Sequence, residues 1–175
     1  MVAARVVGMG AAQSFNRTVT LNVGTSSGVR ADMTVVNPDG LVGRVVRATR
    51  TTATVLLIVD RTSAVGGRLG ANLEIGYLKG RGGVGDDAAL DLALVDNSIT
   101  PSSGDTVVTW GSDNGVPYVA GIPIGEVGKV FSTPRQSAVR AVITPYVDFS
   151  SLDVVGVVVP HGTDSDRPVI KGAER

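Results

Sequence analysis

The feature that most constrains this chain is a repeated unit of short, valine-rich segments that alternate apolar and polar residues and stop at glycine, proline or Asp/Asn turns. Valine, branched at Cβ, loses rotamer freedom in a helix and packs well on a pleated sheet. Roughly thirty of the 175 residues are valine and 23 are glycine. Arg17 to Val23 sets Val19, Leu21 and Val23 on one face. Thr34–Val36, the turn Asn37-Pro38-Asp39-Gly40 and Leu41–Val46 read as a hairpin, with Pro38 fixing its φ and Gly40 tolerating a positive one. Thr54–Val59 is an unbroken apolar run, expected as a strand buried on both faces, and a turn follows at Asp60–Ser63. Further strands are expected at Leu73–Leu78, Leu90–Val95, Asp105–Trp110, Ile124–Val130, Ala138–Thr144 and Asp153–Val159. The alternate glycines of Ile124–Val130 point to close backbone approach or a bulge. Nothing supports a helix longer than about two turns, so many short strands at about 8–12-residue spacing predict an all-β sandwich or barrel.

Composition removes most chemistry. A hydrophobic content of 43% supplies a real core. The absence of cysteine excludes disulfides, thiolate metal sites and a cysteine nucleophile. A single histidine, His161, excludes His-rich metal sites and leaves one candidate for histidine catalysis. No metal, cofactor or catalytic residue is therefore expected. Balanced charge, 16 basic against 16 acidic residues, argues against a nucleic-acid protein. The basic stripe Arg44, Arg47 and Arg50 lacks the interleaved aromatics of a stacking surface. No apolar stretch reaches the ~20 residues that span a bilayer, and the start lacks the apolar core of a signal peptide.

The neutral total hides an asymmetry. Residues 1–85 carry 10 basic and 4 acidic side chains, and residues 86–175 carry 6 and 12. The sign changes at Gly80-Arg-Gly-Gly-Val-Gly85, which matches a dinucleotide-binding spacing in letters only. The segment after it alternates instead of forming a helix, and Asp86 and Asp87 would set carboxylates beside a pyrophosphate. It reads as a linker near residues 79–88 between two modules, residues 1–72 and 73–160, whose opposite charges suit head-to-tail docking. Residues 161–175 are polar without periodicity and are expected to be a disordered tail. Neither Asp86/Asp87 nor Asp164/Asp166 opens a calcium-loop pattern. Trp110, the sole tryptophan, ends a strand and reads as core or barrel rim. The apolar, Pro- and Gly-broken segment Gly115–Ile124 is either an exposed contact loop or a loop folded over a barrel end. The candidate interface residues are Phe15, Tyr118, Val119, Ile122 and Pro123.

Several segments together resemble the extracytoplasmic region of the rod shape-determining protein MreC family. They are Val19-Thr-Leu-Asn-Val-Gly24, Gly28-Val29, Met33–Val36, Asp39-Gly-Leu-Val-Gly-Arg-Val45, Val55–Asp60 with Ser63-Ala-Val65, Gly104–Thr109 and Gly121–Val127. No single motif is specific; their order from about residue 4 to residue 159 carries the likeness. Two positions depart from the family pattern: Ala120 stands where proline usually precedes the glycine, and Trp110 where a small residue is common. The resemblance implies two small six-stranded β-barrels, distantly like those of trypsin-type proteases but without a catalytic site. It implies a non-enzymatic scaffold of bacterial cell-wall elongation on the extracytoplasmic face, joined to the membrane through an N-terminal segment missing here. It also implies that the chain binds penicillin-binding-protein-type peptidoglycan synthases and other elongation-complex membrane proteins, and that it self-associates. Two competing readings are a hydrolase on the barrel pair, which would need His161, and a glycan-binding module stacking sugars on Tyr77, Trp110, Tyr118 or Tyr146.

Overall fold

The computed structural model describes residues 1–10, 16–70, 72–96, 98–112, 117–133 and 138–159. Twelve strands follow one another: β1 (Val2–Met9), β2 (Thr18–Leu21), β3 (Thr34–Asn37), β4 (Gly40–Ala48), β5 (Ala53–Leu57), β6 (Ala64–Leu69), β7 (Ile75–Gly80), β8 (Leu90–Leu94), β9 (Thr106–Thr109), β10 (Pro123–Thr133), β11 (Ala138–Pro145) and β12 (Val154–Val158). Among the described residues the helical content is one 3-10 turn, Thr25–Ser27. All pairings are antiparallel, and they close two six-stranded barrels. The first has the order β1-β12-β3-β4-β5-β2 and the second β10-β11-β8-β7-β6-β9. The all-β, two-barrel architecture expected from the sequence is what forms.

Alternation explains each wall. In β8 the pattern Leu90-Asp-Leu-Ala-Leu94 puts Leu90, Leu92 and Leu94 inside and Asp91 and Ala93 outside. Val19, Leu21, Val35, Leu41, Val45, Val55, Leu57 and Val157 fill the first interior; Val65, Leu69, Leu78, Leu92, Val107, Ile124 and Ile143 fill the second. Burying one such side chain is worth roughly 1.5–3 kcal/mol.

The division of the chain differs from the expected split at residue 72. β12 lies between β1 and β3, so the last strand returns to the first barrel, while β6 already belongs to the second. The chain crosses at residues 58–63 and returns at 146–153. Gly80 to Gly85 is therefore no linker: residues 81–89 are the β7–β8 hairpin loop, held by Arg81 N–H donating to the Ala89 carbonyl (3.2 Å). The charge asymmetry dissolves with it. Residues 1–63 with 146–159 carry 7 basic and 5 acidic side chains, and residues 64–145 carry 6 and 8. Electrostatic head-to-tail docking loses its basis. The expected tail lies outside the described residues, as does Phe15.

Two strands escape the period-2 reading. In β1 only Ala4 is fully buried, and β6 has Gly66-Gly67 at its centre. The apolar run at 54–59 has two separate causes of burial. Ala53–Leu57 lines the first barrel, while Ile58 and Val59 lie in the crossing. That crossing presses on the second barrel at Gly80, where a Cβ would fall 2.2 Å from the Val59 carbonyl carbon and 2.3 Å from the Asp60 oxygen. Backbone cannot yield there as a flexible side chain can. We expect Gly80→Ala to lower stability by about 1–3 kcal/mol, read from the denaturant midpoint, because the added methyl forces the crossing off β7.

Candidate functional site

The barrels are joined by hydroxyls and a buried carboxylate. Asp60, in the crossing, is almost fully buried. It accepts hydrogen bonds from the Arg17 N–H, the Thr62 N–H (2.7 Å) and the Thr62 hydroxyl. Burial pushes its carboxyl up, but the Thr62 hydroxyl, the two N–H groups and the Arg17 charge outweigh it, leaving the pKa below its ordinary value. On β3 the Thr34 hydroxyl donates to the Pro117 carbonyl (3.0 Å) and accepts from the Val119 N–H (3.0 Å). On β9 the Thr109 hydroxyl donates to the Val119 carbonyl (2.6 Å) and accepts from the Ile122 N–H (2.9 Å). Both threonines are wholly buried. The loop at 117–122 is thus strapped from the first barrel and from the second.

This placement corrects the exposure expected of that loop. Tyr118 is 4% exposed, with its ring between the barrels and its hydroxyl toward Ser63 and the Arg44–Asp32 pair (2.9 Å). Burial raises the phenol's pKa, with Ser63 and Arg44 pulling the other way. Val119 and Ile122 are half-buried. Pro123 is exposed, but its carbonyl oxygen packs where a Cβ on Gly40 would fall, 2.4 Å away. Of the two sequence readings of 115–124, the described part matches the loop folded over a barrel end. Tyr118, Val119 and Ile122 contribute to the junction.

The exposed rings lie elsewhere. Residues directly opposite on neighbouring strands point to the same face. Trp110 N–H donates to the Gly66 carbonyl (3.0 Å), Gly66 pairs with Tyr77, Tyr77 with Ala93, Ala93 with Arg140, and Arg140 with Phe131. One row therefore winds over the outside of the second barrel across β9, β6, β7, β8, β11 and β10. Its rings are solvated: Trp110 is 47% exposed, Tyr77 56% and Phe131 51%. Trp110 is thus not core; it lies just past the end of β9, over Gly66, at the rim. Gly66 and Ala93 leave dips between the rings, and Arg140 is the charge in the row. Large aromatics and Arg dominate the energetics of interfaces. Burying the exposed half of one ring, roughly 75–125 Å², is worth about 2–3 kcal/mol. Composition alone does not reveal this row, because the three aromatics lie far apart in sequence and only the strand register aligns them.

Two outcomes test the junction. Thr34→Val keeps the volume but leaves the Val119 N–H and Pro117 carbonyl without their partner; a loss of about 1–3 kcal/mol in denaturant unfolding is expected. For Asp60 the folded pKa lies below the unfolded value of about 3.9, so its stabilisation is present above pH ~4 and is lost as pH falls through the folded pKa. An Asp60→Asn variant should be less stable at neutral pH and show a shallower loss on acidification, measured by unfolding at stepped pH.

Comparison with known proteins agrees with this architecture. The family model described as "Rod shape-determining protein MreC, barrel core" matches residues 7–159. The cell shape-determining protein MreC of Listeria monocytogenes is 31% identical over 150 residues, covering 83% of this chain and 49% of that protein. The chain spans about half the length of the curated relatives it matches. The crystal structure of MreC from Pseudomonas aeruginosa superposes with a TM-score of 0.77 at 26% identity, over 90% of this chain and 98% of that one. A structure described as the major periplasmic domain from the cell shape-determining filament MreC gives 0.74 at 25% identity, over 90% and 95%. The MreC of a Helicobacter pylori complex with penicillin-binding protein PBP2 shares the fold at a TM-score of 0.64 and 19% identity, over 89% and 98%. With the barrel-core model covering both barrels from β1 to β12, this chain belongs to the MreC family of rod shape-determining proteins.

Proposed function

We propose that this chain is the partner-binding part of a non-enzymatic scaffold for bacterial cell-wall elongation and cell-shape maintenance. It works on the extracytoplasmic face of the membrane and holds membrane-anchored peptidoglycan synthases of the penicillin-binding-protein type together with other elongation-complex membrane proteins. The observation that carries this reading is the pair of solvated rings Trp110 and Tyr77, held beside one another on a rigid closed barrel with Gly66 between them. Family membership supports the cell-shape role, and the solved complex of a relative with PBP2 supports the partner class. The periplasmic domain of a relative described as a filament supports the location and self-association.

The mechanism is positional. A synthase with active and inactive arrangements is shifted toward whichever the scaffold binds more tightly, and by no more than the difference in affinity. Rings fixed on strands suit this, because a rigid aromatic contributes contact area at low entropic cost.

The test is capture of a purified penicillin-binding-protein-type synthase ectodomain on the immobilised chain. Trp110→Ala and Tyr77→Ala, each folded as judged by circular dichroism, should each weaken capture about tenfold or more, while Phe131→Ala, three strands further round the barrel, should not. Undiminished capture by both the Trp110 and the Tyr77 variant would move the interface away from these rings. No capture by the native chain would remove the synthase from the reading.

A further inference from the structure

An apolar cleft of about 290 Å³ lies on the outer wall of the first barrel, along β12 and between β1 and β3. The register explains its shape. Ala3 pairs with Gly156 and Gly156 with Val36, so these three share one face and form a low floor. Val154, 52% exposed, and Pro38, also exposed, stand beside that floor as walls. The Met1 side chain crosses it at Gly156, where a Cβ would fall 2.3 Å from the Met1 Sδ. The Asn37 carboxamide oxygen is held in the β3–β4 turn, accepting from the N–H groups of Asp39 (2.9 Å) and Gly40 (3.1 Å). One end of the cleft is acidic. Carried on from Gly156–Val36, the antiparallel register brings Asp153 and Asp39 to the same end, both exposed. Arg5 meets Asp153 at 3.6 Å, but that pair is largely solvated, so it binds weakly and leaves the end open to a further cation.

β12 ends at Val158, at the opposite end of the cleft from the two carboxylates, and sixteen residues follow Val159. Their one run of three apolar residues is Pro168-Val169-Ile170, bracketed by Arg167 and Lys171. We propose that this run folds back into the cleft of its own chain, antiparallel to β12, with Lys171 beside Asp39 and Asp153. Length, direction and charge support it. Residues 160–167 form the return, and eight residues span at most roughly 26–29 Å. The cleft from Val158 to Val154 is four strand residues long, about 13 Å. The return contains Gly162, Asp164, Ser165 and Asp166, residue types that suit a turn. Antiparallel docking carries Lys171 to the acidic end, whereas the reverse direction would bring Asp164 and Asp166 toward Asp39 and Asp153. Both barrels are closed, so the run packs by its side chains and adds no strand. A connection this short gives an effective concentration in the millimolar range. The cleft is therefore filled by the chain's own segment even where the contact is too weak to hold a separate molecule. Exposed apolar relief favours unspecific association, and the docked run covers it.

The chain has no cysteine, so Ala173→Cys supplies a single site for a nitroxide label on the full chain. With the label oxidised, the amide resonances of Val36, Asn37, Val154 and Gly156 should broaden and recover on its reduction, while those of β8 stay unchanged. Ile170→Asp lies outside the strands that close both barrels, so their fold is kept; it should lower the ratio of docked to undocked chain about tenfold or more. Val154→Arg, at an exposed strand position, removes a wall and answers the two carboxylates, and should reduce the broadening as well. Absence of broadening at the cleft amides would overturn the proposal, as would equal broadening with and without Ile170→Asp. A second sample mixes spin-labelled chain at natural isotope abundance with nitrogen-15 chain lacking the cysteine. Broadening of the cleft amides there as strong as in the first sample would assign the cleft to the segment of a second copy and overturn docking within one chain.

Discussion

The pairing of β12 with both β1 and β3 is the constraint on which the rest depends. Without it β1 and β3 would each present an unpaired edge, and the first barrel would be an open sheet. With it, the polypeptide must leave the first barrel after β5, build the whole second barrel, and return. The second barrel is thus an insertion between β5 and β12. Its two ends are anchored by the crossings at 58–63 and 146–153. Closing the first barrel therefore fixes where the second starts and ends. The first crossing lies so close to Gly80 that a Cβ there would meet the backbone of Val59 and Asp60, and the barrels also approach closely at Gly40, where a Cβ would meet the Pro123 carbonyl.

Hydroxyls complete a junction that the buried Tyr118 ring also fills. Thr34 and Thr109 each satisfy one carbonyl and one N–H of the same loop, and Asp60 gathers three donors. The loop pressed between two barrels makes some backbone bonds, from the Gly121 N–H to the Thr109 carbonyl and from the Thr109 N–H to the Ile122 carbonyl, and each remaining buried group left without a partner would cost about 1–3 kcal/mol. A buried threonine, donor and acceptor in one small group, answers two such groups at once. The geometry is directional in a way that apolar packing is not, so it sets how the loop lies as well as that it is buried.

Much of this was legible in the sequence because it is local. Alternation in Leu90–Leu94, the Asn37–Gly40 turn and the glycines of β10 each dictate their own conformation. What escaped reading is non-local. The return of β12 leaves no trace in its own residues, since Val154–Val158 suits either barrel equally. A glycine-rich segment that changes the sign of the charge resembles a linker, yet it is a hairpin loop whose glycines follow a strand end pressed against the crossing. Tyr118 looked exposed because proline and glycine flank it. Those residues keep the segment out of a ladder but do not decide what covers it. The ring row depends entirely on register, which a sequence with short, similar strands does not specify.

Closure also decides what kind of surface remains for recognition. A barrel with no free edge cannot lend its backbone to a partner, so affinity and selectivity must come from side chains on its outer face. Outward positions on a solvated barrel are normally polar. Trp110, Tyr77 and Phe131 break that pattern while their strand neighbours keep it: Lys79 and Asp91 flank Tyr77 on the same face, and Lys129 follows it on β10 two residues before Phe131. Trp110 and Tyr77, with Gly66 between them, give apolar relief bordered by charge, while Phe131 lies three strands further round the barrel, beyond Ala93 and Arg140. A charged border of this kind limits non-specific association. Because the ladder fixes their spacing, Trp110 and Tyr77 hold a separation that a flexible loop could not keep.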